Sequence, residues 1–107
     1  MDYTDRLRRL TINDPLFADD SSGAGVPLSG LDPKTLALVR LAALVAVGGA
    51  PPSYSVETDD AITAGATTEE IVDVLVGVMP IVGRPCVVSA APSLALALGY
   101  DPDDPAA

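Results

Sequence analysis

The longest apolar run in the chain covers residues 36–47, LALVRLAALVAV, and Arg40 is its only charged residue. A helix of this composition has no polar face for water, so protein must enclose it, either within the fold or between subunits. The Asp-Pro pair at 32–33 fits an N-cap and a first helical position. The glycines at 48–49 end the helix, because glycine adopts the left-handed conformation at little cost. The pattern predicts a core helix over about 33–47.

Two more helices are predicted directly after this one. Ser53 or Ser55 is expected to cap the second helix, which Gly65 ends. The segment 67–70, Thr-Thr-Glu-Glu, has the form of a capping box and stands immediately before an apolar run, so it marks the start of a third helix. Pro80 is expected to kink that helix, because proline removes one backbone hydrogen bond and crowds the preceding turn.

Further helices are predicted toward the two ends of the chain. A last helix runs from about 86 to 98, bent or restarted at Pro92. Near the N-terminus, residues 2–10 carry apolar residues at spacings of four and three, which predicts a short amphipathic helix. Residues 13–18 fit a further short helix with proline in its first position, and the Gly- and Ser-rich segment 19–30 fits a loop.

These elements define an all-α fold, a small helical domain with a core helical hairpin. Strands are the alternative for the Val-rich runs, but the lengths, the flanking caps and the alanine content favour helices. The predicted organisation is short helices and a flexible loop over 1–30, the helical domain over 31–99, and an acidic tail over 100–107.

Composition adds an expectation about assembly. Hydrophobic residues make up 49% of the 107 residues, more than so small a chain is expected to hide, since a domain of this size buries about two thirds of its unfolded surface. Large exposed apolar patches normally mark association surfaces. A homo-oligomer is therefore predicted.

Charge and residue usage exclude several function classes. The net charge of -9 disfavours nucleic acid and anionic membranes as partners. The apolar runs 36–47 and 71–82 are both too short to span a membrane as a helix. The N-terminus carries charges where a signal peptide would be apolar, so a cytoplasmic protein is expected. The single cysteine, Cys86, cannot form an internal disulfide, and without histidine the usual zinc sites lack ligands. No metal or cofactor is predicted.

Three segments together resemble the carboxymuconolactone decarboxylase and alkylhydroperoxidase-D-like family. They are 31–35, LDPKT, followed by an Ala- and Leu-rich helix; 64–71, AGATTEEI, which is the most specific; and the break at 83–85, GRP. The resemblance covers about 31–98. It implies a small all-helical protein that assembles as a trimer or hexamer, in agreement with the separate argument from apolar surface.

The resemblance also implies where the family's reactive groups would stand. Peroxidatic members carry Cys-x-x-Cys followed four residues later by His, and these positions correspond to Ala50, Ser53 and Glu57, within about one residue. The family's upstream glutamate would fall near 37–38, where this chain has alanine and leucine. Reduction of a peroxide by a dithiol needs one thiolate to attack and a second to resolve the sulfenic acid. One subunit of this chain cannot do that.

Five residues remain as candidates for a site. Glu57 is the titratable group at the histidine position, and a carboxyl group in an apolar pocket can act as a general acid or base; the alternative is a solvated residue on an acidic helix start. Arg40 would bind a substrate carboxylate through paired hydrogen bonds, or instead pair with Asp73 or with a neighbouring subunit.

Tyr54 and Ser53, with Ser55, would line the entrance to the same pocket, although capping explains the serines equally well. Cys86, at the start of the last helix, is interpreted as a buried apolar residue without a redox role.

Three functional hypotheses follow. The preferred one is a family member without peroxidase activity whose role is binding or assembly. The second is a decarboxylase or lactone-handling enzyme that acts on a small carboxylate, with Glu57 as the acid/base. The third is an accessory subunit that packs against a separate protein partner.

Overall fold

The computed structural model describes residues 2–15 and 29–100, and within these residues the chain forms helices and no strand. The all-α fold class is therefore confirmed for this part of the chain. The helices are α1 (Tyr3–Thr11), α2 (Pro33–Val47), α3 (Pro51–Thr63), α4 (Thr68–Val82) and α5 (Arg84–Ala97). They fall into two compact units, residues 1–30 and 31–107.

The first unit contains α1. The Asp2 carboxylate caps this helix by accepting the Asp5 N–H at 2.9 Å, and the Asp5 carboxylate lies 3.3 Å from Nε of Arg9, one turn later. The amphipathic helix predicted here is confirmed. Residues 16–18 of the short helix predicted over 13–18, and residues 19–28 of the loop predicted over 19–30, lie outside the described residues.

The second unit begins with α2, whose bounds agree with the sequence prediction. The Asp32 carboxylate accepts the Thr35 N–H at 3.2 Å and also the Thr35 hydroxyl, as expected of an N-cap. These hydrogen bonds lower the pKa of Asp32, the bond from the Thr35 hydroxyl most of all. At the other end, Gly48 has φ 79°, a left-handed conformation that terminates the helix without strain.

The start of α3 differs from the prediction. The helix begins at Pro51, with Ala50 as an N-cap that makes no side-chain hydrogen bond, so neither Ser53 nor Ser55 is the cap. The physical reason is that two prolines preset the backbone for a first helical turn and have no N–H groups that need a partner. Ser53 and Ser55 lie inside the first turns of α3 and are exposed.

The capping box at the start of α4 is confirmed. The Glu70 N–H donates to Oγ1 of Thr67 at 3.1 Å, and the Thr67 N–H donates to Oε1 of Glu70 at 2.9 Å. The helix then continues through Pro80 to Val82. Pro80 occupies an exposed position, where water can satisfy the backbone carbonyl that proline leaves unpaired.

The corner between α4 and α5 consists of Gly83 alone. Its φ of 86° and ψ of 159° lie in a region that is essentially restricted to glycine. α5 begins at Arg84, two residues earlier than predicted, because Pro85 fits the first helical turn. α5 is not restarted at Pro92, which lies within one continuous helix at an exposed position.

The core of the second unit lies where α2 to α5 meet. Its members are almost wholly hidden from solvent and come from all four helices: Ala37, Leu41, Val45, Tyr54, Ala61, Ile71, Leu75, Val87, Ala90 and Leu94, with Ala66 from the connection before α4. α2 contacts α3, α4 and α5, so the apolar run seen in the sequence is the central helix. Leu41 and Val45, two of its members, are 1% and 2% exposed.

Candidate functional site

A groove of about 380 Å³ lies between α2 and α3, and we call it the Arg40–Glu57 groove. α2 contributes residues that recur every three or four positions along one face, and α3 contributes a second such series together with the residue that follows it. The lining residues are Pro33, Leu36, Ala37 and Arg40 from α2, and Glu57, Asp60, Thr63 and Ala64 from α3 and its C-cap. Helical periodicity therefore brings one guanidinium and two carboxylates to an otherwise mostly apolar groove.

Glu57 is the most unusual residue of this groove. Its Oε2 atom is buried and has no hydrogen-bond partner, whereas buried polar atoms in proteins are almost always paired. Leaving a buried acceptor without a partner costs about 1–3 kcal/mol, and more for a charged group. The groove thus contains an acceptor whose hydrogen-bonding capacity is unused.

Arg40 and Asp60 are the other charged residues of the groove. Arg40 is exposed on α2, and Asp60 is exposed one turn beyond Glu57 on α3. A guanidinium binds carboxylates through two parallel hydrogen bonds, and a carboxylate accepts hydrogen bonds from hydroxyl or ammonium groups. The arrangement can therefore bind a small molecule that has an anionic end and a donor group.

Tyr54 lies elsewhere, in a separate cavity of about 300 Å³ at the C-terminal end of α2. Cys86 and Ser89 of α5 line the same cavity. The Tyr54 ring is 1% exposed, and its hydroxyl donates to the Leu44 carbonyl at 3.4 Å. Burial, reinforced by the nearby Cys86 thiol, raises the pKa of Tyr54.

The structure therefore brings together only part of the predicted site. Arg40 and Glu57 share one groove, Tyr54 faces a different cavity, and Ser53 lines neither. Cys86 is a free cysteine of intermediate burial, in a cavity rather than in the central core. The predicted pairing of Arg40 with Asp73 or another subunit remains a prediction.

The structure adds two residues, Asp60 and Thr58, that the sequence pattern did not single out. Asp60 follows Glu57 by three positions, and that spacing was the available signal that both face the same groove. Thr58 is fully buried, and its Oγ1 has no hydrogen-bond partner. The available signal was its spacing from Tyr54 and Ala61, four and three residues away, which places all three on the buried face of α3.

Two features are absent from the residues that the structure describes. Across 2–15 and 29–100, no three or more Asp, Glu or Cys side chains are grouped closely enough to bind a metal ion. In the same residues, each helix is too short or too polar to cross a bilayer.

The fold and the groove define a small all-α domain with a polar pocket between two of its core helices. The chain belongs to the carboxymuconolactone decarboxylase family, since the model of that family matches residues 20–95, well over half of the sequence. This match confirms the family resemblance that segments 31–35 and 64–71 carry. No curated protein and no solved structure matches the chain significantly.

Proposed function

We propose that this protein binds a small carboxylate in the Arg40–Glu57 groove, has no peroxidase activity, and works as a cytoplasmic homo-oligomer. The observation that carries the proposal is the buried, unpartnered Oε2 of Glu57 in the same groove as the Arg40 guanidinium. A ligand that supplies a donor would satisfy Oε2 of Glu57, and an anionic group of the same ligand would lie within the groove that Arg40 lines. The ligand class is therefore a small carboxylate that also carries a hydroxyl or a protonated nitrogen.

Residue usage supports the absence of peroxidase activity. The chain has one cysteine and no histidine, whereas the family's peroxidatic members use two cysteines and a histidine. A single thiolate can attack a peroxide, but no second thiol of the same subunit can then resolve the sulfenic acid. We expect hydroperoxide consumption with a dithiol reductant to equal that of a Cys86→Ser variant. Turnover that Cys86→Ser abolishes would contradict this part of the proposal.

Self-association is supported by apolar side chains that the second unit leaves exposed. Val47, Ile81 and Val88 are 79%, 87% and 66% exposed, and large exposed apolar surface is typical of association sites. The family resemblance implies a trimer or a hexamer.

The binding proposal is tested by thermal unfolding with a panel of small carboxylates: hydroxy acids, amino acids, dicarboxylates and lactone carboxylates. A ligand at a hundred times its Kd stabilises the folded state by about 2.7 kcal/mol, so a bound compound raises the unfolding temperature. We expect Arg40→Gln to abolish that rise. Arg8→Gln, which removes an arginine from α1, is the matched control and should retain it.

Glu57→Gln separates the roles of the two groove residues. Because an amide can still bond to a hydroxyl, we expect this variant to weaken binding of protonated amines more than that of hydroxy acids. Asp59→Asn removes a neighbouring exposed carboxylate of α3 that does not line the groove. This variant should bind both protonated amines and hydroxy acids as wild type does. The proposal is wrong if no carboxylate stabilises the protein, or if the rise in unfolding temperature survives Arg40→Gln.

A second candidate function is proton transfer on the bound carboxylate, as in a decarboxylase or lactone-handling enzyme. The position of Glu57 favours it, because an unpartnered carboxylate oxygen is available to hold or release a proton of a ligand. In that case Glu57→Gln would lose turnover while binding through Arg40 persists. Binding without turnover in the wild-type protein would exclude this candidate and leave the binding role.

A further inference from the structure

The charged groups of the Arg40–Glu57 groove are unequal in number. Two carboxylates, those of Glu57 and Asp60, and one guanidinium, that of Arg40, line it. A ligand whose only charge is a carboxylate is attracted by the guanidinium and repelled by both carboxylates, so much of the attraction is cancelled. A ligand that also carries a positive charge is attracted by all three groups. The charges of the groove therefore favour a zwitterion over a simple anion.

The order of the lining residues along the groove follows from the antiparallel packing of α2 and α3. A corner of only three residues, 48–50, joins the two helices, which pack against each other, and helices joined by so short a connection run antiparallel. Arg40 and Glu57 therefore lie at one end of the groove, and Pro33 and Ala64 lie at the other. Asp60 lies between the two ends, one helical turn from Glu57.

Glu57 and Asp60 together are suited to an ammonium group, and we call them the carboxylate pair. Because they are three positions apart on α3, they lie on one face of the helix. An ammonium group has three N–H donors and can bond to both carboxylates at once, whereas a hydroxyl group has a single donor. Oε2 of Glu57, which is buried and has no hydrogen-bond partner, is an acceptor already in place for one of these donors.

Beyond the carboxylate pair, the groove is mostly apolar. Ala37 is buried and Leu36 is half-buried in its wall, and Pro33 and Ala64 close the far end, with Thr63 as the polar exception. This part of the groove would shield an apolar group of a ligand from water. The volume of about 380 Å³ is close to the lower limit of about 300 Å³ for small-molecule sites. The ligand is therefore small.

We propose that the ligand of the Arg40–Glu57 groove is a free α-amino acid with an apolar side chain, and that Asp60 helps to select it by binding its ammonium group. The ammonium and the carboxylate of an α-amino acid share one carbon atom, which suits the position of Arg40 at the same end of the groove as Glu57. The amino acid side chain then points toward Pro33 and Ala64. This assignment rests on the proposed function, since it assumes carboxylate binding in this groove.

Other small ligands match the groove less well. A dicarboxylate would place its second anion beside the carboxylate pair or in the apolar part, and both positions are unfavourable. A hydroxy acid can donate to Glu57 or to Asp60, but not to both. An amine without a carboxylate would make no use of Arg40.

The test compares ligands that differ in one group only, with binding to the full chain measured by isothermal titration calorimetry. Alanine, valine and leucine are each paired with the α-hydroxy acid of the same carbon skeleton. We expect each amino acid to bind about tenfold more tightly than its hydroxy acid, the effect of one charge-assisted hydrogen bond. Affinity should rise from alanine to leucine, because the larger side chain covers more of the apolar part. The amine that lacks the carboxylate of leucine should bind more weakly than leucine.

Asp60→Asn tests the residue that is assigned to selectivity. We expect leucine to bind this variant about tenfold more weakly, while its hydroxy acid binds as tightly as before or more tightly, so the preference for the amino acid is lost. Asp59→Asn is the matched control, because Asp59 is an exposed carboxylate of the same helix that does not line the groove. It should retain the preference. Circular dichroism should show the same helix content in all three proteins.

The outcomes separate this inference from the proposed function. Hydroxy acids that bind as tightly as the amino acids would show that the inference is wrong, while carboxylate binding in the groove stands. If none of the compounds binds, or if the amine binds as tightly as leucine, the proposed function is wrong as well. An unchanged preference in Asp60→Asn would exclude Asp60 from the site. An equal loss of preference in Asp59→Asn would show a general effect of charge and would also overturn the assignment.

Discussion

Lys34 Nζ lies 2.8 Å from Oε2 of Glu70, and this ion pair joins the first turn of α2 to the first turn of α4. The same carboxylate accepts the Thr67 N–H through its other oxygen, Oε1. Glu70 therefore both caps its own helix and connects it to the central helix of the domain. The Lys34 hydrogen bond, assisted by that from the Thr67 amide, lowers the pKa of Glu70.

This relationship predicts how stability depends on pH. A carboxyl group whose pKa is lower in the folded than in the unfolded chain stabilises the fold above its unfolded pKa, and the contribution is lost as the pH falls through the folded value. Glu70→Gln keeps a residue suited to the capping box but removes the charge. We expect wild type to unfold at a higher temperature than Glu70→Gln near neutral pH. The difference in unfolding temperature should decline once the pH falls below the ordinary glutamate pKa of about 4.3 and disappear at more acidic pH.

The control for the Glu70 prediction is Glu69→Gln, which neutralises an adjacent exposed carboxylate outside the capping box. Thermal unfolding followed by circular dichroism at several pH values measures both differences. If the difference in unfolding temperature between wild type and Glu70→Gln stays constant from neutral to acidic pH, the ion pair does not stabilise the fold.

Thr58 gives a second prediction, which concerns the core of the domain. Its side chain is fully buried and its hydroxyl lacks a hydrogen-bond partner, so Thr58→Val exchanges a desolvated polar group for a methyl of similar shape. We expect the free energy of unfolding to increase by about 1 kcal/mol, the lower end of the penalty for an unsatisfied buried group.

Thr58→Ser provides the comparison, since it keeps the hydroxyl and removes the methyl group, and it should destabilise the protein. Urea titration measures the free energy of unfolding of both variants. The slope of this free energy against urea concentration should equal that of wild type. A loss of stability in Thr58→Val would indicate that the hydroxyl bonds to a buried water molecule instead.

Glu57 gives a third prediction, which links the groove to stability. If binding is the reason why its Oε2 atom is buried without a hydrogen-bond partner, then Glu57→Met should remove the cost of that burial. We expect the unliganded variant to be more stable than wild type by about 1 kcal/mol and to lose carboxylate binding. Asp59→Met, on the exposed side of α3, is the control and should not stabilise the protein to the same extent.

An unliganded Glu57→Met variant that is less stable than wild type would contradict the expected cost of burial. Its stability and its carboxylate binding are measured on the same preparation, by urea titration and by thermal shift. A stable variant that still binds would place the ligand away from Glu57.

Much of the fold was predictable because its determinants are local. The Asp32 cap, the Gly48 stop and the Thr67–Glu70 capping box each act within one helical turn, so the bounds of α2 and the start of α4 agree with the sequence. The error at the start of α3 arose because two signals compete there. The prolines at 51–52 fix the first turn directly, and the serines that follow are not needed as caps.

The sequence by itself determined the all-α class, the central position of the run 36–47, and the absence of a Cys-x-x-Cys pair and of histidine, since these depend on composition and short-range spacing. Only the tertiary structure decided that Arg40 and Glu57 share a groove while Tyr54 faces a different cavity. It also decided that apolar faces of α4 and α5 form one exposed trough. These relationships join residues of different helices, and their distances depend on how the helices pack, which the spacing along any single helix does not specify.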